Sequence, residues 1–324
     1  RMGAPVTAGR IRTVLGDIEG FDGVAYAHEH LVLDSPLIAD RFPHILLDDV
    51  DAAVAEVGEC RAAGAGLMVD TMPVSAGRDV VRLAEISTRT GVPIVAATGL
   101  HHDRYYGPLH WTNRVGADEL TALFVADLIE GVDEFDYTSP VVRRTPHRAG
   151  LAKVATSGEV PDARDLRNIE AVAAASVATG APVLTHCEGG RGGIAQVELL
   201  VAAGVPAPSI IVSHVDKAQD LAYLHDLAET GAILELDQSL RELSHGTSSI
   251  TVRAVLALVS SGFVNQIVLG TDGARRSLWN AFGGSPGLAW LARDLPAVLT
   301  EVGLGEDALH KVFHANAARA LAWR

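Results

Sequence analysis

Residues 180–214 read GAPVLTHCEGGRGGIAQVELLVAAGVPAPSIIVSH. Two short apolar runs, 182–186 and 209–214, flank an Ala/Leu-rich stretch over 191–203, the pattern of a strand, a helix and a parallel strand. Gly180-Ala181-Pro182 and Gly204-Val205-Pro206 each stop a helix just before the strand that follows. Both runs end on an imidazole, His186 and His214. The same unit recurs along the chain. Strands are expected near 24–28, 67–71, 92–98, 151–155, 182–186, 209–214, 232–236 and 266–271. Helices are expected over 48–63, 77–90, 116–130, 162–179, 191–203, 217–229, 248–260 and 288–300, with a last helix at about 306–322. Eight such units predict an α/β fold, a closed (β/α)8 TIM barrel, with an open doubly wound sheet as the alternative. No linker or low-complexity tract divides the 324 residues. One domain over 1–324 is expected, with a short N-terminal hairpin at about 10–22 under the barrel.

Composition narrows the function. Hydrophobic residues make up 48% of the chain, enough for one large core. Two cysteines, Cys60 and Cys187, are too few for a disulfide framework and fit a reducing cytoplasm. The start RMGAPVTAGRIRTVLGDIEG lacks the apolar block of a secretory signal. The longest uncharged run, 254–271, is broken by Ser260-Ser261-Gly262 and Asn265-Gln266 and reads as a helix followed by a strand, so no membrane span is expected. A net charge of −14 disfavours nucleic acid as a partner. A small anionic substrate is compatible with it only if positive charge is gathered into one pocket.

The chemistry-bearing residues sit where strands end. In Val24-Ala25-Tyr26-Ala27-His28-Glu29-His30, alternation lets His28 and His30 share one face while Glu29 points away, toward a structural salt bridge. Strand five ends at Thr185-His186, strand six at Ser213-His214 and strand eight at Thr271-Asp272. One such residue is often a satisfied core histidine; agreement among four strands at the catalytic end of a barrel points to a metal site. Lys153 lies inside the apolar run of strand four. A buried lysine is neutral, paired or chemically altered. It either leans out of the barrel end or carries a carbamate formed with carbon dioxide, whose oxygens can bridge two cations.

The ordered set His28-x-His30, Lys153-Val154-Ala155-Thr156, Thr185-His186, Ser213-His214 and Thr271-Asp272 resembles the phosphotriesterase-like family of the amidohydrolase superfamily. Arg12-Thr13-Val14-Leu15-Gly16 and Asn316-Ala317-Ala318-Arg319 extend the likeness to both ends. The resemblance implies a binuclear centre: His28, His30 and Asp272 on a buried ion, His186 and His214 on an outer one, and N6-carboxylated Lys153 with a hydroxide between them. It also implies two divalent ions, zinc first, with manganese, iron or cobalt able to substitute. Asp272 would be the catalytic proton acceptor. The residues themselves do not set an oligomeric state; dimers are common in the family the chain resembles, which leaves a homodimer open.

The loop after strand eight, Thr271-Asp272-Gly273-Ala274-Arg275-Arg276-Ser277-Leu278, resembles the branch that hydrolyses phosphorylated sugar lactones, where an arginine grips phosphate. Arg275 matches that role, Arg276 is a second candidate, and Arg241 after strand seven brings a further cation to the rim. Leu278 stands where that branch has a tyrosine, which leaves a plain lactone open as substrate. The alternative for these arginines is a solvated loop paired with the acidic surface. The segment 101–111, expected to be the longest irregular one, supplies His101, His102, Tyr105 and Tyr106 as substrate contacts or as a packed aromatic loop. The expected activity is metal-dependent opening of a sugar-derived lactone, phosphorylated or plain. A phosphotriesterase or aryl or carboxyl esterase is the enzymatic alternative, and a non-catalytic metal-containing ligand-binding barrel the alternative of another class.

Overall fold

The computed structural model describes residues 9–324. Residues 1–8, part of the stretch read as lacking a secretory signal, lie outside the described residues. Among the described residues there are ten strands: β1 (Ile11–Thr13), β2 (Gly16–Ile18), β3 (Val24–Glu29), β4 (Ala65–Asp70), β5 (Ile94–Gly99), β6 (Leu151–Thr156), β7 (Val183–Cys187), β8 (Ile210–Ser213), β9 (Ile233–Leu236) and β10 (Ile267–Leu269). β3 to β10 form one eight-stranded sheet, each strand parallel to its sequence neighbour, with helices crossing between them. The expected barrel is the fold.

The edges β3 and β10 meet through the chain just beyond β10. The Thr271 and Asp272 amides donate to His28 O at 3.3 and 3.0 Å. Glu29, fully buried, accepts from Thr271 N at 2.9 Å and from Thr271 Oγ1 at 2.6 Å. The salt bridge expected of Glu29 is absent among the described residues; its carboxylate instead joins the two edges. Gly270 makes that approach possible, since a methyl group there would lie 2.8 Å from both His28 N and His28 O.

Alternation along β3 is broken at the decisive point. Ala25 and Ala27 pack inside the barrel with Leu67, Val95, Leu151, Leu184, Ile211, Ile233 and Val268, whereas Tyr26 packs outside against the helices. Strict alternation would therefore leave His28 and His30 outside. The register runs from Tyr26 opposite Met68 to Glu29 opposite Asp70, three residues against two, which is a β-bulge. The extra residue turns the histidines inward and Glu29 outward, the re-aiming that bulges provide beside functional sites.

The hairpin of β1 and β2 is antiparallel and sends Ile11 into the lower end of the barrel with Ala317, Ala320 and Leu321. Helices follow the expected order with shifted ends. The helix expected over 288–300 is two short ones, Trp290–Arg293 and Leu295–Glu301, because Pro296 has no amide to continue the ladder. The last helix is interrupted by a π turn over Lys311–Ala315. The longest irregular segment is 130–150, not 101–111. A buried guanidinium, Arg78, holds it in place by donating to Asp136 Oδ1 at 2.6 and 3.0 Å and to Asp127 Oδ2 at 3.1 Å.

Candidate metal centre

All six expected ligands lie buried at the C-terminal mouth of the barrel. The ring centroids of His28 and His30 are 5.4 Å apart, those of His28 and His214 4.5 Å, and those of His186 and His214 4.6 Å. His30 Nε2 is 3.3 Å from Asp272 Oδ1. His28, His30 and Asp272 form one group with converging ligand atoms. Two further groups are His28 with His214, Glu235 and Asp237, and His102 with His186 and Glu188. His214 and Asp272 both adopt left-handed backbone, with φ of 65° and 44°. Such geometry costs about 1–3 kcal/mol per residue and persists where surrounding contacts enforce it. Here the Asp272 amide is tied to His28 O and its carbonyl to Arg241.

Each outer imidazole is oriented by a carboxylate. His214 Nδ1 donates to Asp237 Oδ2, and His186 Nε2 donates to Glu188 Oε2 at 3.0 Å. The opposite nitrogens are thereby left as lone pairs, the arrangement by which metal-binding histidines are held. The His186 backbone is pinned as well, since Gln196 Nε2 donates to His186 O at 3.0 Å and to Thr156 Oγ1 at 2.8 Å. Cys187 Sγ points to Gln196 Oε1, and burial pushes its thiol up to about 12, which removes it as a nucleophile.

Several buried polar atoms here have no hydrogen-bond partner among the described residues: His28 Nδ1, His30 Nδ1, His186 Nδ1 and Lys153 Nζ. Buried polar groups are nearly always satisfied, so a cluster of orphans at one barrel end fits bound cations. Burial brings the Lys153 ammonium down to about 8, which makes a neutral, reactive amine accessible. For Asp272, burial alone would raise the carboxyl. Arg241 and Lys217 override it and hold Asp272 well below the ordinary carboxylate range. Arg241 donates to Asp272 Oδ2 at 2.8 Å, and Lys217 Nζ lies 3.5 Å from the same oxygen.

A cavity of ≈ 410 Å³ opens above these groups, lined by His30, His186, His214 and Asp272 below and by His101, Arg104, Tyr105, Lys217, Arg241 and Arg275 around it. Arg275 and Arg241 therefore stand where substrate contacts were expected. Arg276 does not: its guanidinium donates to Leu46 O at 2.9 Å, reaches Asp48 and stacks on Phe282. Tyr106 is buried beneath the loop, donating to Val74 O and accepting from the His101 amide. His102 turns sideways toward Glu188, 3.6 Å away. His101 and Tyr105 form the aromatic wall instead. Lys217 and Asp237 were not selected from the sequence, where Glu188 stands out as an unusual polar neighbour of His186 and Cys187. Asp237 had a readable signal, a carboxylate closing the apolar run of β9 like Asp272 beyond β10; Lys217 and Glu188 sit in turns whose direction no spacing sets.

A phospho-furanose lactonase of Mycoplasmopsis agalactiae is 30% identical over 323 residues, covering 97% of this chain and 91% of that protein. The crystal structure of an amidohydrolase from Mycoplasma synoviae superposes with a TM-score of 0.91 at 28% identity, covering 98% of this chain and 93% of that one. A lactonase from Listeria monocytogenes gives 0.87 at 28% identity, with 97% and 99% covered. The model of the phosphotriesterase family matches residues 9–321, and the chain belongs to that family.

Proposed function

We propose that this protein is a hydrolase dependent on two divalent cations that opens a sugar-derived lactone carrying an anionic group. The observation that carries this reading is the charge of the cavity. In a chain of net charge −14, Arg104, Lys217, Arg241 and Arg275 are gathered around the same opening that exposes the candidate ligands. Forked guanidinium donors suit phosphate or carboxylate, and the phospho-furanose lactonases and lactonase among the relatives have names consistent with such a substrate.

His28, His30 and Asp272 would hold one cation, His186 and His214 the other, and Lys153, as its carbamate, would join them. When bound, such a pair lowers the pKa of water to near neutrality and polarises an ester carbonyl. Histidine and carboxylate ligands favour zinc. Asp272, kept ionised by Arg241 and Lys217, is the group placed to accept a proton and pass it to the departing alkoxide. Arg275 and Arg241 orient the anion, while His101 and Tyr105 shield one side of the cavity from water. Two buried free cysteines fit residence in the cytoplasm.

A neutral phosphotriester would leave the cationic rim without a partner, which is why that activity ranks second. A panel of phosphorylated, carboxylated and plain lactones beside organophosphate esters tests the ranking. Turnover concentrated on the anionic lactones is expected. Turnover of the esters alone would overturn the lactone reading, and tight zinc binding with no turnover of either would favour a ligand-binding barrel.

A further inference from the structure

Glu188 belongs to neither set of residues discussed above as cation ligands or substrate contacts, yet three side chains, one from β7 and two from the loop after β5, converge on one of its oxygens. Glu188 Oε2 accepts from His186 Nε2 at 3.0 Å and from Arg104 Nη2 at 3.4 Å, and lies 3.6 Å from His102 Nε2. Arg104 forms part of the cavity wall, and His102 is buried with Nε2 otherwise unpartnered. Glu188 itself is 43% exposed, so it contributes little to the core.

Its backbone is held from the opposite side. The turn Glu188–Gly190 carries left-handed residues at Gly189 and Gly190, with φ of 63° and 79°. A methyl group on Gly190 would lie 2.5 Å from Ala218 N and 2.8 Å from His214 O, so this turn presses directly onto the one that follows β8. The Glu188 backbone is thus fixed by a packed turn, while Arg104 and His102 reach its carboxylate from the loop after β5. That loop has its own anchor, Arg164 Nη2 donating to His101 O at 3.0 Å.

We infer that Glu188 is a positioning residue with two connected roles. It holds the His186 ring in the orientation that turns Nδ1 toward the outer cation position, and it ties that ligand, through Arg104 and His102, to the loop forming one wall of the substrate cavity. The first role rests on the two-cation reading above; the second rests on the contacts alone. A donor bond from Nε2 to a carboxylate fixes both tautomer and ring direction, and loss of such partners typically weakens metal binding about 10- to 100-fold.

The test uses the full chain loaded with zinc, as wild type, Glu188→Ala, Glu188→Gln and Arg104→Ala. Zinc retained after dialysis against graded chelator is counted by atomic spectroscopy. Glu188→Ala should release one ion at roughly 10- to 100-fold lower chelator than wild type. Glu188→Gln should restore most of the retention, because its amide oxygen accepts the same bond. Release from the two variants with equal ease, or wild-type retention in Glu188→Ala, would overturn the orienting role. Hydrogen exchange of the segment 101–106 in metal-free protein reads the second role. Exchange should quicken several-fold in Glu188→Ala and Arg104→Ala, and unchanged exchange in both would overturn the tie. If the wild type binds no zinc, the proposed function fails, and the exchange measurement still decides whether the loop is tied to Glu188. A comparison of melting temperatures separates these effects from general destabilisation.

Discussion

At the scale of single residues, the cavity sets apart two adjacent arginines that the sequence ranked first and second as anion contacts. Arg275 faces the opening and Arg276 is bound to Leu46 O and Asp48. Arg275→Ala is expected to lower kcat/KM for an anionic lactone about 10- to 100-fold, the value of one charge-assisted hydrogen bond, while a neutral lactone changes little. Arg276→Ala should leave both within about twofold, a surface change outside the cavity. Steady-state kinetics on a matched pair of lactones checks both. Asp272→Asn should lower kcat about 10²- to 10⁴-fold with little change in KM, as expected for loss of a proton acceptor; an unchanged kcat would remove Asp272 from that role. The expected ligands stood out because His28, His30, His186, His214 and Asp272 lie at or just past the end of an apolar run and Lys153 lies inside one, which sets their depth in the barrel. Tyr106 and His102 were not legible in that way, because a loop residue's direction depends on packing that leaves no periodic trace. Lys217 is the sharper omission, a lysine whose ammonium reaches Asp272 from a turn.

At the scale of elements, the β-bulge in β3 shows that the shared face of His28 and His30 was inferred from an incomplete geometric reason. Simple alternation put His28 and His30 on one face, which is true, but the inserted residue decides that this face is the interior. The N-terminal hairpin supplies a separate test. Arg12 grips Asp17 through bonds of 2.8 and 3.1 Å, donates to Leu128 O at 2.7 Å and lies over the Trp323 ring. The bond from Arg12 holds the Asp17 carboxyl below its ordinary value of 3.8. Because the folded state binds this proton less readily than the unfolded chain, the stability it contributes is present above about pH 4 and is lost as pH falls through the depressed pKa. Asp17→Asn should lower stability by about 1–2 kcal/mol at pH 7 and flatten the acid limb of the stability profile. Chemical denaturation at several pH values reads this, and an Asn variant with the wild-type acid limb would contradict it.

For the whole molecule, closure and chemistry share the same seam. Glu29 joins β3 to the chain beyond β10 between two candidate ligands, and the Asp272 amide bonds to His28 O across it. Glu29→Gln places an amide donor among Thr271 donors and is expected to destabilise the fold by about 1–3 kcal/mol, the cost of an unmade buried bond, and to loosen cation retention along with it. A variant with lowered melting temperature but wild-type zinc retention would show that closure and site are independent. The eightfold alternation made the barrel legible, since repeated strand–helix units leave few ways to pack. The segment 130–150 was not legible because Asp136, where Arg78 and Ser75 grip it, lies 58 and 61 residues from them in sequence. Lactone opening is expected to depend on cations held by His28, His30, Lys153, His186, His214 and Asp272. The most direct measurement is the rate of hydrolysis of an anionic lactone as zinc is titrated into chelator-stripped protein. Negligible activity without metal, rising to a plateau at two equivalents, is the predicted result; full activity in the stripped protein would contradict the account.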